Sequence, residues 1–211
     1  MSDIESGALH PLDQLGVSLV GTPEDEDIFK KATALIPNLE KLAYNKLNDL
    51  GLLPPDGKFL CLPHHHGNGS TAVYIGNFNV LTESGYHRVL LAIQDEGGRT
   101  SLHVHTQPNM PESYIRLGKG VSHLNTLRLD GDLIIGRRRI PMSDEDIIVP
   151  PGVPHFVDTE GGTLSYTLIV MGNAGNYPDS SHHTPLIARL PGEDASRIIR
   201  AQDIDHRIPL L

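Results

Sequence analysis

The chain has 211 residues, 38% of them hydrophobic, with 21 Gly and 16 Pro, which suits one domain with extensions and is long enough to bury a core. A formal net charge of -9, no Trp and only 5% aromatic residues exclude the basic surface or stacking platform that nucleic acid needs. A single Cys61 excludes an intrachain disulfide framework, and no apolar run reaches the roughly 18 residues of a membrane span, so a cytoplasmic protein with no membrane partner is expected.

The start, Met1-Ser2-Asp3-Ile4-Glu5-Ser6, is polar and acidic, without the basic and apolar regions of a signal peptide. Thr22-Pro23-Glu24-Asp25-Glu26-Asp27 predicts a helix start, with a Thr cap, Pro at the first helical position and acids at the positive end of the dipole. Ile28, Ala32, Leu35 and Ile36 follow at helical spacing, and Pro37 is expected to break or kink this helix. Asn38 is then expected to cap a second helix carrying Leu39, Leu42, Leu47 and Leu50, which Gly51 stops. Residues 1–57 therefore form a mostly helical extension.

From Lys58 the texture changes to short β-rich runs, and residues 58–175 are expected to form a β-barrel. The runs are Thr71–Ile75, Phe78–Leu81, Arg88–Ile93, Ser101–His105, Ser113–Leu117, Asn125–Leu129, Leu133–Ile135, Ile147–Val149 and Leu164–Met171. Turn signals such as Glu83-Ser84-Gly85 and Leu129-Asp130-Gly131-Asp132 separate them, the pattern of an all-β sandwich or barrel. After Gly172 periodicity is lost, and residues 176–211 are expected to pack as a tail on the barrel or on a partner subunit.

Chemistry concentrates in four residues: His103, His105, Glu112 and His155. Residues i and i+2 of a strand share a face, so His103 and His105 point into the same interior while Val104 faces away. A loop through Pro108 and Pro111 delivers Glu112, and the stiff turn Pro150-Pro151-Gly152-Val153-Pro154 fixes where His155 points. Three imidazoles and a carboxylate make an open-sided site for one divalent metal ion: Fe, Mn, Ni, Co or Zn.

These residues resemble the two motifs of the cupin family. The first runs Gly-x5-His-x-His-x3–4-Glu-x6-Gly; Gly97, His103, His105 and Glu112 match it, with Gly118 and Gly120 bracketing the last glycine. The second runs Gly-x5-Pro-x-Gly-x2-His-x3-Asn, and Pro150, Gly152 and His155 match it. Three positions depart: six residues separate His105 from Glu112, Asp144 replaces the opening Gly, and Thr159 stands where Asn is usual. The resemblance implies an all-β double-stranded β-helix (jelly-roll) barrel, here with an N-terminal helical extension, binding a metal and forming a homodimer.

The long gap, followed by Tyr114, resembles the cupin-type phosphoglucose isomerases of archaea, as do Ala174, Gly175 and Tyr177 at shorter spacing. That likeness implies a small-molecule substrate, a sugar or sugar phosphate, isomerised or epimerised with Glu112 or Tyr114 moving the proton. Arg116 follows Glu112 and Tyr114 at alternate positions and is expected to contact substrate from the same face. The alternative is a non-haem iron dioxygenase on the same ligands, with Leu102, Ile115, Phe156 and Leu168 as apolar lining; a metal-dependent lyase and a non-catalytic ligand-binding cupin follow. His64-His65-His66, His182-His183 and Arg137-Arg138-Arg139 are expected to be solvated loop or sheet residues, and Cys61 a small buried side chain.

Overall fold

Helix α1 (Ile36–Asp49) carries Pro37 in its first turn, where a missing N–H breaks no intrahelical bond. Pro37 therefore lies within this helix, which begins before Asn38, the expected cap. Its end is a Schellman turn: Gly51 sits at φ +68, its N–H donates to the Asn48 carbonyl, and the Leu52 N–H donates to the Leu47 carbonyl at 2.7 Å. Ala43 and Leu47, one turn apart, are fully buried, whereas Leu42 and Leu50 are exposed. The computed structural model describes residues 36–52, 61–62, 72–82, 85–94, 97–106, 111–118, 120–160, 165–171 and 183–211; the helix expected after Thr22 and the His64-His65-His66 loop lie outside them.

The strands in chain order are β1 (Cys61–Leu62), β2 (Ala72–Thr82), β3 (Gly85–Gln94), β4 (His103–His105), β5 (Glu112–Leu117), β6 (Ser122–Asp130) and β7 (Leu133–Pro141). They continue with β8 (Ile147–Val149), β9 (His155–Thr159), β10 (Ser165–Met171), β11 (His183–Pro185), β12 (Ile187–Ala188) and β13 (Arg197–Ile198). One sheet has the order β1-β2-β3-β10-β5-β8, the second β11-β4-β9-β6-β7, and β12 pairs β13 alone. Within them β3 to β10 follow the jelly-roll path, β3-β10-β5-β8 opposite β4-β9-β6-β7, every pairing antiparallel. The expected all-β jelly-roll barrel is thus present, with a helix before it.

Two differences from the expected strands have local causes. The runs at Thr71–Ile75 and Phe78–Leu81 are one strand, β2, because the register skips Gly76 between Ile75 and Asn77, a bulge that keeps pairing to β3. The segment after the Pro150-Pro151-Gly152 turn continues as β9, a central strand buried at all five residues.

Among the described residues, two apolar clusters hold the layers together. Leu90, Ala92, Tyr114, Leu124, Met142, Val149, Val157 and Ile169 pack between the sheets. On the outer face of the second sheet, Leu102, Leu127, Ile134 and Phe156 pack against Leu186, Ala188, Leu190, Ile199, Ala201, Ile204 and Ile208 of the C-terminal segment. Helix α1 contacts β5 of the first sheet, and the Lys46 ammonium donates to the Asp144 carbonyl at 2.9 Å.

Candidate metal centre

Three strands bring the four predicted ligands to one end of the barrel. His103 and His105 lie on β4, His155 on its neighbour β9 in register with His103, and Glu112 opens β5 of the facing sheet. Gly152, at φ +83, makes the turn before β9, and its N–H donates to the His105 carbonyl at 2.7 Å. One bond therefore ties the turn that aims His155 to the strand that carries the other two imidazoles. Thr159, standing where the motif has Asn, binds the Gly98 carbonyl through both its N–H (3.0 Å) and its hydroxyl (3.1 Å), so it closes the turn leading into β4.

The quartet is buried, with residue exposures of 3% for His103, 2% for His105, 1% for Glu112 and none for His155. Glu112 Oε2 lies 2.6 Å from His155 Nε2, 2.8 Å from His105 Nε2 and 3.4 Å from His103 Nε2. The Nε2 atoms of His103 and His105 are 3.2 Å apart, and all four ligand atoms lie within 4.8 Å of one another. Donors bound to one ion at about 2.1 Å stand roughly 3–4 Å from each other. The 3.2 and 3.4 Å separations lie in that range, and the 2.6 and 2.8 Å contacts of Glu112 are hydrogen-bond distances that would lengthen slightly around a first-row divalent ion.

Tautomers point the same way. A carbonyl can only accept, so His103 Nδ1–H donates to Ser101 at 2.9 Å and His155 Nδ1–H to Val153 at 2.7 Å. In the neutral ring this leaves the Nε2 lone pair facing the cluster, the form that ligates a metal. Lone pairs turned on a carboxylate oxygen repel it unless a cation or shared protons lie between them. Burial works to raise the Glu112 carboxyl, but the contacts with His103, His105 and His155 outweigh it and hold the group well below the usual range. Burial, then the charge of His103, pushes His155 below an ordinary histidine despite the opposing pull of Glu112. Glu112 Oε1 is buried and has no hydrogen-bond partner among the described residues, leaving a second carboxylate oxygen for an ion or a ligand.

The other expected site residues divide. Tyr114 is 1% exposed and lies between the sheets, its ring set edge-on to His155 at a centroid distance of 5.5 Å. Arg116 shares the face of Tyr114 and Glu112, since Arg116 pairs with Thr167, Tyr114 with Ile169 and Glu112 with Met171 of β10. Its guanidinium, however, is spent at the far end of β5, donating to the carbonyls of Met142 (3.1 Å), Gly118 (2.8 Å) and Gly120 (2.8 Å). Of the expected apolar lining, Leu102 and Phe156 belong to the outer cluster beneath the C-terminal segment. Ala174, Gly175, Tyr177 and His182 lie outside the described residues. A strand missed by sequence reading, β11, edges the site: it pairs with β4 so that His183 opposes His105 and Pro185 opposes His103.

No protein-family model matches the chain, and no curated protein matches it. Among solved structures it is similar to oxalate oxidase in complex with the substrate analogue glycolate, with 20% identity, 52% of this chain and 53% of that one covered, and a TM-score of 0.38. It is similar to a Cupin 2 conserved barrel domain protein from Salinispora arenicola CNS-205 (19% identity, 52% and 81% covered, TM-score 0.36). It is also similar to the DMSP lyases RdDddP and RnDddQII (15% identity, 58% and 61% covered, TM-score 0.40). The match spans 32% of capsular polysaccharide assembling protein CapF from Staphylococcus aureus and about half of oxalate oxidase. No helix among the described residues is long and apolar enough to cross a membrane.

Proposed function

We propose that this chain is a metal-dependent isomerase or epimerase acting on a small neutral hydroxycarbonyl compound such as an unphosphorylated sugar. The single observation carrying it is the buried convergence of His103, His105 and His155 Nε2 on Glu112 Oε2. These four residues would hold one divalent ion, which supplies Lewis-acid polarisation of a carbonyl and its neighbouring hydroxyl. Glu112, held well below the usual carboxylate range, is a poor base, so its role is to bind and orient. Tyr114, edge-on to His155 inside the barrel, is assigned the proton transfer at the substrate carbon. Arg116 is a positioning residue that braces the far end of β5 through three carbonyls.

The neutral substrate follows from the arginines. The Arg116 donors are taken up by the turn carbonyls, and Arg137 and Arg139 pair with β6 beside Leu127 and Asn125, on the face turned away from the barrel interior. Arg138, in register with Thr126 and His155 on the inner face, is exposed and stands two strands from His155. The test combines metal analysis of purified protein with product and solvent-deuterium assays over unphosphorylated aldoses and ketoses. Expected are interconversion and a Tyr114→Phe variant slowed by about 10²–10⁴-fold with metal content unchanged.

A non-haem iron dioxygenase is the second reading, favoured by the apolar packing of Leu90, Leu124, Val149, Val157 and Ile169 between the sheets. Oxygen uptake with small phenols, diketones or thiols, with no sugar interconversion, would replace the first reading by this one.

A further inference from the structure

A second polar group of residues lies on the outer face of the β4-β9-β6-β7 sheet, where the C-terminal segment crosses it. Asn125 pairs with Phe156 on one side and Arg139 on the other, while Arg137 pairs with Leu127, one step along the same face. Arg137 is thus a diagonal neighbour of Asn125, within reach of a long side chain. Chain ends fix the rim: Arg137 N–H donates to the Pro209 carbonyl, and Leu211 N–H donates to the Arg137 carbonyl.

The hydrogen-bond inventory here is incomplete. Asn125 is fully buried, and its carboxamide Nδ2 donates to the His123 carbonyl at 3.3 Å while Oδ1 has no partner among the described residues. Arg137 is partly buried with Nε sealed from solvent, and its guanidinium has no hydrogen-bond or ion-pair partner there either. The charges around Arg137 have other hydrogen-bonded partners: Arg139 binds Asp158 at 3.3 Å and Glu160 at 3.4 Å, Arg207 binds Asp205, and Arg99 donates to the Ala201 carbonyl. Burial disfavours the Arg137 charge, Asp158 and Asp205 favour it, and Arg139 and Arg99 disfavour it; a guanidinium keeps its proton throughout, so the charge at Arg137 persists. A partly desolvated fork of donors without an acceptor is costly, and so is a buried carbonyl oxygen without a donor.

We propose that this face binds a small α-hydroxy or α-amino carboxylate, with its carboxylate on Arg137 and its hydroxyl or amine on Asn125 Oδ1. The two groups have opposite hydrogen-bonding sense, and a carboxylate bearing an adjacent O–H or N–H presents both complements a few ångströms apart. The fork of Arg137 matches the planar carboxylate as a bidentate partner. Asn125 is closed to solvent, so the proposed ligand enters only when the Arg137 and Arg139 side chains, on the same outer face, turn aside. The site is separate from the metal centre, whose ligands point to the opposite face of β4 and β9.

The test is calorimetric titration of the full chain with lactate, alanine and propionate, on protein as purified and again after chelation and dialysis. Lactate or alanine should saturate one site per chain with or without metal. Propionate, which lacks the donor, should bind about tenfold more weakly or worse. Arg137→Gln should weaken binding by about tenfold or more, with metal content unchanged. Should Arg137→Gln unfold, Arg137→Lys keeps the charge but loses the fork, and must also weaken lactate. Loss of binding on metal removal, equal binding of propionate, unaltered affinity in the arginine variants, or no saturation by about 20 mM would each overturn the proposal.

Discussion

Glu112 is surrounded at hydrogen-bond distance by three imidazole nitrogens, so its protonation and that of His155 set how the centre responds to acid. Both groups have folded pKa values below their ordinary ones: Glu112 because the histidine contacts outweigh burial, His155 because burial dominates. A group depressed on folding stabilises the fold above its unfolded value and loses that contribution as pH falls towards its folded value. Metal-free protein should therefore lose stability first as pH drops below about 6.5, as unfolded His155 gains its proton, and again below about 4 for Glu112. Denaturant midpoints measured from pH 8 to pH 3 check this; a midpoint rising on acidification would contradict it. The residue-level pattern was legible because His-x-His puts two ligands on one strand face. Arg116 shows the limit: alternation gave its face, but the Met142, Gly118 and Gly120 carbonyls that take its donors come from turns no periodicity describes.

At the level of elements, the Pro150-Pro151-Gly152 turn links sequence to site. Its left-handed Gly152 is tied by its N–H to His105, so moving the turn moves His155. Gly152→Ala should cost about 1–2 kcal/mol of stability, because a Cβ in that conformation is strained although space is open around it. Metal affinity should fall on the order of tenfold, as it does when groups that orient ligands are disturbed. Thermal melts and a competitive chelator titration measure the two effects, and a variant with wild-type affinity would show that the turn does not aim the imidazole. Strand β9 itself was hidden because it is buried on both faces, which removes the polar-apolar alternation that marks a half-exposed strand. The bulge at Gly76 hid the unity of β2 for the opposite reason, since a glycine inside a strand looks like a turn.

On the scale of the whole molecule, the chain is layered: α1 contacts the first sheet, two sheets enclose the centre, and the C-terminal segment covers the outer face of the second sheet. That last layer was the least legible part, although Leu186, Ala188 and Leu190 alternate with period two and are all buried. Short β12 and β13, with prolines and charges between apolar residues, broke the pattern into fragments too brief to read. Phe156, wholly buried under this segment, should be costly to truncate: Phe156→Ala should lose about 3–5 kcal/mol. Its melting temperature should drop on the order of 10 °C, while the ligand set stays intact. A drop of only a degree or two would mean that the segment does not pack on the sheet.

The most direct measurement is the metal content of the protein purified without added metal and after loading with Fe, Mn, Ni, Co and Zn salts. About one ion per chain is expected after loading with at least one of them, falling to background in folded His103→Ala and His155→Ala variants. A folded wild-type chain that stays metal-free with all five ions, or variants that keep full occupancy, would contradict a metal centre at His103, His105, Glu112 and His155.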